Sequence, residues 1–150
     1  MERLSTKNTL RVNDWLKRAK SNLARARAGK ISEDVLYEDL CFDAQQAVEK
    51  ALKALCVKHG IKLIKVHDIS YLMELLGGVG IKIPKSLQKA RILTDYAVET
   101  RYPGDYVPVD VEMYEGALKI AEKVVAWVEK KIGKQKLSCQ GSAAVKKTRS

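Results

Sequence analysis

Apolar residues recur along most of this chain at spacings of three and four positions, with polar residues between them. This period is typical of amphipathic helices, whereas a strand would alternate apolar and polar positions. Capping residues and helix-ending glycines divide the pattern into five segments. The predicted helices are a first from Asn8 or Asn13 to Ala28, a long second from Ser32 to Gly60, a short third from Asp68 to Gly77, a fourth from Pro84 to about Arg101, and a fifth from Asp110 to Gly133.

The second helix is predicted to lie at the centre of the fold, because the alanines of its apolar stripe let neighbouring helices approach closely. The stripe consists of Leu36, Leu40, Ala44, Ala47, Ala51 and Leu55. The stripe on the fifth helix is wider than one neighbour can cover, which predicts a contact between two copies of the chain. The predicted fold class is therefore all-α, an up-and-down bundle of four long helices plus one short helix, assembled as a homodimer.

Length and composition predict a single globular domain that needs no disulfide. The chain has 150 residues, of which 46% are hydrophobic, and three cysteines. Cys41 and Cys56 fall in one predicted helix, about 22 Å apart at 1.5 Å per residue, so they cannot bridge each other. The longest apolar run, residues 124–128, is too short to span a bilayer, and the charged N-terminus has no apolar signal core. We therefore expect reduced cysteines, no membrane contact and a cytoplasmic location.

The basic excess is concentrated at the two ends of the chain. The formal net charge is +10. Positions 1–30 contain nine basic and two acidic residues, positions 31–132 contain 14 basic and 16 acidic residues, and positions 133–150 contain five basic residues and no acidic one. The last segment lacks helical periodicity and is rich in Ser, Gly and Lys. The sequence thus predicts a helical domain over residues 1–133 and a basic flexible tail over residues 134–150. The basic surface of the folded part is then confined to the outer face of the first helix.

Metal and cofactor chemistry have little support in the sequence. The two histidines, His59 and His67, have no Cys or carboxylate at a recognised ligand spacing. The glycines at positions 77, 78 and 80 follow a helix and not a strand, so they indicate a helix end and not a nucleotide-binding loop. We expect neither a metal nor a cofactor.

Two segments carry candidate chemistry. Asp43, Gln46 and Lys50 share one face of the second helix, although a satisfied or solvated polar stripe is the simpler interpretation of that spacing alone. Arg101 ends the fourth helix beside the turn 102–105, where a fixed guanidinium and two tyrosines, Tyr102 and Tyr106, could recognise phosphate and a base. The alternative there is a structural Arg–Asp pair with packed tyrosines.

Three segments stand out by their order and spacing: CFDAQQAVEKALKALCVKHGI in the second helix, HDISYLMELL in the short helix, and LTDYAVETRYPGDY at the end of the fourth. Together they resemble the HEPN family of helical domains, which is associated with nucleotide binding and RNA cleavage. The resemblance covers about residues 10–133. It implies a helical bundle, usually a homodimer, often encoded with a small nucleotidyltransferase, and it places Arg101 where the family motif has its arginine.

The chain departs from the RNA-cleaving members at the position of a histidine. Those members carry a His four to six residues after the Arg, whereas this chain has Asp105, Tyr106 and Val107. Asp105 does not replace it, because an ordinary Asp, with a pKa of about 3.9, is ionised at neutral pH and repels phosphate. Asp43 also stands where many relatives have His. An enzymatic activity of the chain itself is therefore not expected.

The function that follows from the resemblance is binding of a nucleotide, a nucleotidyltransferase partner, or both, as in two-component toxin–antitoxin systems. The expected ligand-binding residues are Arg101, Tyr102, Asp105, Tyr106, Gln46 and Lys50. Tyr106 is a candidate acceptor for a group that the transferase adds. Two alternatives stay open, a metal-independent ribonuclease toxin that uses Arg101 with a displaced general acid such as His67, and a dimeric adaptor without a small ligand.

Overall fold

The computed structural model describes residues 6–63, 68–97 and 108–140. Within these ranges the chain forms helices and connecting segments, without a strand, and none of the helices is long and apolar enough to cross a membrane. The all-α prediction is confirmed. The elements are α1 (Thr6–Ala28), α2 (Tyr37–Lys58), α3 (Ile69–Gly78), a 3₁₀ helix η1 (Lys85–Ala97) and α4 (Val111–Gln140).

Helix α2 is the centre of the bundle and contacts α1, α3, η1 and α4. Its predicted stripe is buried from Leu40 to Leu55, including alanines that are almost fully enclosed. Small side chains at these positions bring the neighbouring helices close to the α2 backbone, as predicted. Leu36 is the exception: it precedes the first turn of α2 and is 54% exposed, so its assignment to the core was wrong.

Aspartate caps fix the starts of α3 and α4. The Asp68 carboxylate accepts a hydrogen bond from the Ser70 backbone N–H at 2.9 Å, and Asp110 accepts one from Met113 at 2.8 Å. Both caps satisfy amide groups that have no partner within the helix. The two predicted starts are confirmed.

The predicted start of α2 at Ser32 is wrong. The Ser32 hydroxyl accepts a hydrogen bond from the Asp34 amide at 3.0 Å, and the Val35 amide bonds to the Ser32 carbonyl at 3.2 Å. These bonds close a turn, which is a conformation that Ser side chains stabilise as readily as a helix cap. The helix begins five residues later, at Tyr37, after Leu36, which makes no side-chain cap.

Glycines end three helices through a left-handed backbone. Gly29 and Gly60 have φ of 72° and 74° after α1 and α2, as predicted. After α3 the corresponding residue is Gly80, with φ of 87°, and Gly77 and Gly78 lie inside the helix instead of breaking it. The Gly133 stop is also wrong: this glycine has no positive φ, and α4 continues to Gln140. A helical glycine costs about 1 kcal/mol relative to Ala, which a long packed helix tolerates.

The predicted fourth helix is a 3₁₀ helix over Lys85–Ala97. Its buried residues Leu87, Ala90 and Leu93 are spaced by three, and half-buried Tyr96 continues the series. Residues i and i+3 lie above each other in a 3₁₀ helix, so one row of side chains faces the core. Arg101, where the sequence placed the end of this helix, lies outside the described residues.

The ends of α1 and α4 are joined by a tyrosine pair. Tyr114 donates a hydrogen bond to the carbonyl of Ala26 at 2.5 Å and stacks on Tyr37, with the ring centroids 5.3 Å apart. The Ala26 carbonyl lies in the last turn of α1, where carbonyl groups lack helical partners. Lys30 lies over the Tyr37 ring, 5.2 Å from its centroid. These contacts fix the entry into the loop that leads to α2.

Candidate functional site

The polar residues of α2 face α1 and form a seam in the interior of the bundle. Asp43, Gln46 and Lys50 do share one side of the helix, as their spacing predicted, and α2 adds Gln45, Glu49 and Lys53 to that side. The facing residues of α1 are Trp15, Asn22 and Arg25. We call this set the polar seam, and its members are Trp15, Asn22, Arg25, Asp43, Gln45, Gln46, Glu49, Lys50 and Lys53.

Asn22 connects the two helices at one end of the seam. Its amide nitrogen donates to Asp43 Oδ1 at 2.9 Å, and its amide oxygen accepts from Lys50 Nζ at 2.8 Å. Asp43 Oδ2 also lies 3.4 Å from Arg25 Nε. Asn22 and Asp43 are buried, and buried polar groups need hydrogen-bond partners. The Asn22 amide supplies a donor to the Asp43 carboxylate and an acceptor to the Lys50 ammonium. A neutral amide thus separates a carboxylate from an ammonium.

Glu49 organises the other end of the seam. Its Oε1 accepts hydrogen bonds from Gln45 at 3.0 Å and from Gln46 at 3.4 Å, and its Oε2 pairs with Lys53 Nζ at 2.7 Å. Gln46 also donates to the Gln45 side-chain oxygen at 2.8 Å. The Lys53 ammonium lies 5.1 Å from the centre of the Trp15 ring, a cation–π contact that further compensates its burial.

The surroundings of the Lys50 ammonium lower its pKa. Burial lowers its pKa, and the positive charges of Arg18 and Lys53 lower it further, whereas Glu49 and Asp43 raise it. Its side chain is only half-buried, in contrast to Lys53, which is enclosed. Among the described residues, Asn22 is its one hydrogen-bond acceptor, so two of its three donors stay available for an anion.

The seam offers cation and amide donors but no metal site. In the ranges that the structure describes, no three His, Cys, Asp or Glu side chains lie together in a way that could hold a metal ion. The carboxylates of Asp43 and Glu49 are occupied as acceptors by Asn22 and Lys53. The arrangement is suited to holding an anion beside Lys50.

The structure describes only part of the predicted site. Gln46 and Lys50 are half-buried neighbours in the polar seam. Arg101, Tyr102, Asp105 and Tyr106 lie outside the described residues, as does His67. Their assignment to one cleft with Lys50 stays a prediction.

Sequence reasoning missed the α1 side of the seam and half of the α2 side. Asn22 interrupts the apolar face of α1, seven positions after Trp15 and four before Ala26, and a polar residue at such a position is a signal for a buried partner. Gln45, Glu49 and Lys53 follow one another at spacings of four, which places them in one row of a helix. Neither the polar position in α1 nor the spacing in α2 shows which residues of the two helices contact each other.

Comparison with known proteins agrees with the fold and the resemblance. The family model described as HEPN domain matches residues 12–131. Two solved structures are similar: TT1696 from Thermus thermophilus, with 34% identity over 81% of this chain and 98% of that chain and a TM-score of 0.65, and ST0689, an archaeal HEPN homologue, with 29% identity over 81% and 97% and a TM-score of 0.60. No curated protein matches the sequence.

Proposed function

Because this chain belongs to the HEPN domain family, we propose that it binds a nucleotide beside Lys50 and acts together with a nucleotidyltransferase partner, without catalysing a reaction of its own. The observation that carries this proposal is the half-buried Lys50 ammonium, which is held in place by Asn22 and has donors left for a phosphate. A partly desolvated cation attracts an anion more strongly than one surrounded by water.

The groups around Lys50 support a phosphate as its ligand. Gln46 lies one helical turn before Lys50 and is also half-buried, so it borders the site. Its amide nitrogen donates within the seam, to Gln45 and Glu49, so the free donors are those of Lys50. Arg18 is an exposed cation near Lys50: burial is the main cause of the lowered Lys50 pKa, and the charge of Arg18 lowers it further. A second cation near the Lys50 ammonium favours an anion with several charged oxygens, such as phosphate.

The Arg101 loop completes the proposed site. In this proposal Arg101, placed by the family resemblance, contacts phosphate, Tyr102 or Tyr106 stacks on the base or presents a hydroxyl, and Asp105 belongs to the same site. Tyr106 is the proposed acceptor of a nucleotidyl group from the partner. A nucleotidyltransferase tested with labelled nucleoside triphosphate should label the wild-type chain and not Tyr106→Phe.

Absence of catalysis is supported by the chemistry of the available groups. Metal-independent RNA cleavage needs a general acid and a general base, and histidine fits that role best near neutral pH. The polar seam contains no histidine, and the sequence lacks one after Arg101. We therefore expect the purified protein to leave RNA intact. RNA cleavage that disappears in Arg101→Ala would support the ribonuclease alternative instead.

Isothermal titration with AMP, ADP and ATP tests the binding proposal. The wild type should bind at least one of them, and Lys50→Met should bind it at least tenfold more weakly, because the variant keeps the length of the side chain and removes the charge. Lys17→Met is the matched control, since Lys17 is an exposed lysine of α1 outside the seam. Equal binding by wild type and Lys50→Met, or no binding by either, contradicts the proposal. Retained partner binding in the second case would support the adaptor alternative.

A homodimer is the proposed assembly, and a groove beside α4 supports it. The groove has a volume of about 930 Å³ and is lined mainly by apolar groups, including exposed Ala126 and half-buried Trp127 of α4. A second copy that covered Ala126 and Trp127 would remove them from water. Light scattering should give twice the monomer mass for the wild type and the monomer mass for Trp127→Glu. A monomeric wild type contradicts this assembly.

A further inference from the structure

Most basic residues of α1 lie along two edges of the helix, with Lys17 on the exposed face between them. The two edges differ in their ion pairs. The edge next to α4 carries Lys20 and Arg27. Lys20 pairs with Glu129 at 2.8 Å, and Arg27 pairs with Glu122 at 2.9 Å. Each positive charge on this edge is therefore matched by a carboxylate of α4.

The edge next to α2 carries an excess of positive charge. At 100° per residue, Lys7, Arg11, Arg18 and Arg25 fall within an arc of about 40°, and all four are exposed. We call these four residues the basic edge. Arg18 pairs with Asp14 at 3.0 Å and Arg25 approaches Asp43 at 3.4 Å.

Lys7 and Arg11 have no carboxylate within ion-pair distance among the residues that the structure describes. The exposed Arg18 and Arg25 side chains, with 63% and 70% of their surface accessible, keep donors that their single carboxylate contacts do not use. The net positive charge of the basic edge therefore lies at Lys7 and Arg11, and Arg18 and Arg25 add exposed guanidinium donors beside their ion pairs.

The basic edge is continuous with the proposed nucleotide site. The charge of Arg18 is close enough to Lys50 to lower its pKa, and Arg25 and Lys50 are both connected to the Asn22–Asp43 pair. From Lys7 to Arg25 the helix rises about 27 Å, at 1.5 Å per residue. A stacked strand carries one phosphate per about 3.4 Å of its axis, so this length corresponds to about eight phosphates.

We propose that the basic edge binds the backbone of a single-stranded oligonucleotide of about eight nucleotides, of which one nucleotide occupies the site beside Lys50. The inference rests on the proposed function and extends it, because it assigns the ligand a length and a path. The guanidinium groups bind phosphate oxygens in pairs, and Lys7 and Lys50 contribute as point charges. The contacts are to the backbone and do not read the base sequence.

Other polyanionic partners fit this edge less well. A helix that binds a membrane surface buries an apolar face in the lipid, whereas the exposed face of α1 between its two basic edges carries one large apolar side chain, Leu10, among residues such as Lys17, Ser21 and Ala24. An acidic protein would form an interface around buried aromatic or apolar anchors. Cations separated by four, seven and seven residues along one helix edge match a chain of phosphates.

Fluorescence anisotropy with labelled oligonucleotides of two, four, eight and twelve nucleotides tests the proposal. Affinity should rise with length up to about eight nucleotides and then level off. Five phosphate contacts predict a slope of log K against log salt of about −3.5, which corresponds to a loss of about 100-fold between 50 and 200 mM salt. The Lys7→Ala/Arg11→Ala variant keeps three of the five contacts, so its slope should be shallower, about −2.1. Its affinity should then decrease by about 20-fold over the same range of salt.

Lys20→Ala/Arg27→Ala is the matched control, because it removes the same charge from the same helix at the neutralised edge. It should keep the wild-type slope. Equal changes in both double variants, or stronger binding to vesicles of anionic lipid than to the eight-nucleotide probe, would overturn the inference.

Mononucleotide binding separates this inference from the proposed function. Lys7→Ala/Arg11→Ala should bind AMP, ADP or ATP like the wild type, since neither residue belongs to the polar seam. If mononucleotides bind and the eight-nucleotide oligonucleotide binds no more tightly than a mononucleotide, the basic edge does not bind the backbone. The proposed nucleotide site is then unaffected. If no mononucleotide binds, the proposed function itself fails.

Discussion

Asn22 shows how one buried amide can hold two opposite charges apart. It donates to Asp43 and accepts from Lys50, and it is itself 8% exposed. Hydrogen bonds to charged groups contribute about 1.5–3 kcal/mol each, and their loss leaves the charged partners poorly solvated. The residue is therefore important to both the stability and the geometry of the candidate site.

Replacement of Asn22 by Ala should lower the free energy of unfolding by about 3 kcal/mol, because both charged partners lose a bond in a buried place. Urea denaturation followed by circular dichroism measures this change. Asn13→Ala is the control, since Asn13 is exposed on the same helix, and it should change stability by less than about 0.5 kcal/mol. Equal stabilities of the two variants would mean that the Asn22 bonds contribute little.

Cys41 and Cys56 are buried and unpaired, as the sequence predicted. Burial raises the pKa of the Cys41 thiol to about 11 and that of Cys56 to about 12. The hydrogen bond with Tyr96 lowers the Cys41 value in part. Such thiols are poor nucleophiles near neutral pH, because the thiolate is the reactive form.

Alkylation by iodoacetamide should reflect these shifts. In a Cys139→Ser background at pH 8, the native protein should react at least about 100-fold more slowly than the urea-unfolded protein, because the thiolate fraction is about 100-fold smaller. Because the folded pKa values are raised, the thiols contribute stability below about pH 9, and this is lost as the pH rises through 11 and 12. Similar alkylation rates in the native and unfolded protein would contradict the burial of both thiols.

At the level of elements, two glycines illustrate opposite uses of the residue. Gly80 takes a φ of 87° where α3 ends, a conformation that L side chains rarely adopt. Gly133 lies within α4, and a Cβ atom added there would meet no atom within 4 Å. Gly80 is needed because the backbone takes a left-handed conformation there, whereas Gly133 only lowers the helix propensity of α4.

Gly80→Ala should therefore destabilise the fold by about 1 kcal/mol, because it forces Ala into the left-handed region. Gly133→Ala should stabilise it by up to about 1 kcal/mol through higher helix propensity. Thermal unfolding of the two variants and the wild type measures the direction of both stability changes. A lower melting temperature in Gly133→Ala would indicate that α4 does not pass through this position as a regular helix.

At the level of the whole molecule, the net charge of +10 is a poor guide to where anions bind. Two of the positive charges of α1 are neutralised by α4, and Lys53 is buried against Glu49. The basic edge and Lys50 keep accessible positive charge, as do exposed lysines elsewhere, such as Lys17 and Lys89. Electrostatic attraction of a ligand is determined by this distribution and not by the sum.

Ligand binding should be visible as a change in the stability of the whole fold. A nucleotide at 100 times its Kd stabilises the native state by about 2.7 kcal/mol, which raises the melting temperature of a protein of this size by about 5–10 °C. Lys50→Met at the same nucleotide concentration should show a much smaller rise. Equal rises in the two proteins would place the ligand away from Lys50.

Much of the fold is encoded locally and could be predicted from sequence. Three local signals act over three or four residues: the helical period, the caps Asp68 and Asp110, and the end glycines Gly29 and Gly60. The neighbouring residues in the sequence are therefore sufficient to predict them. The incorrect assignments were also local, at Ser32 and Gly133, where a residue type is compatible with two conformations. Packing of the surrounding chain decides between them.

The sequence by itself determined the all-α class, the central place of α2 and the family motifs, because all of these depend on the order and period of residues. Only the tertiary structure decided that Asn22 joins Asp43 to Lys50, and that Glu122 and Glu129 neutralise one edge of α1 and leave the other charged. These pairings join residues 21 to 109 positions apart. They depend on how the helices dock, which is determined by the packing of the whole core and not by any short stretch of the chain.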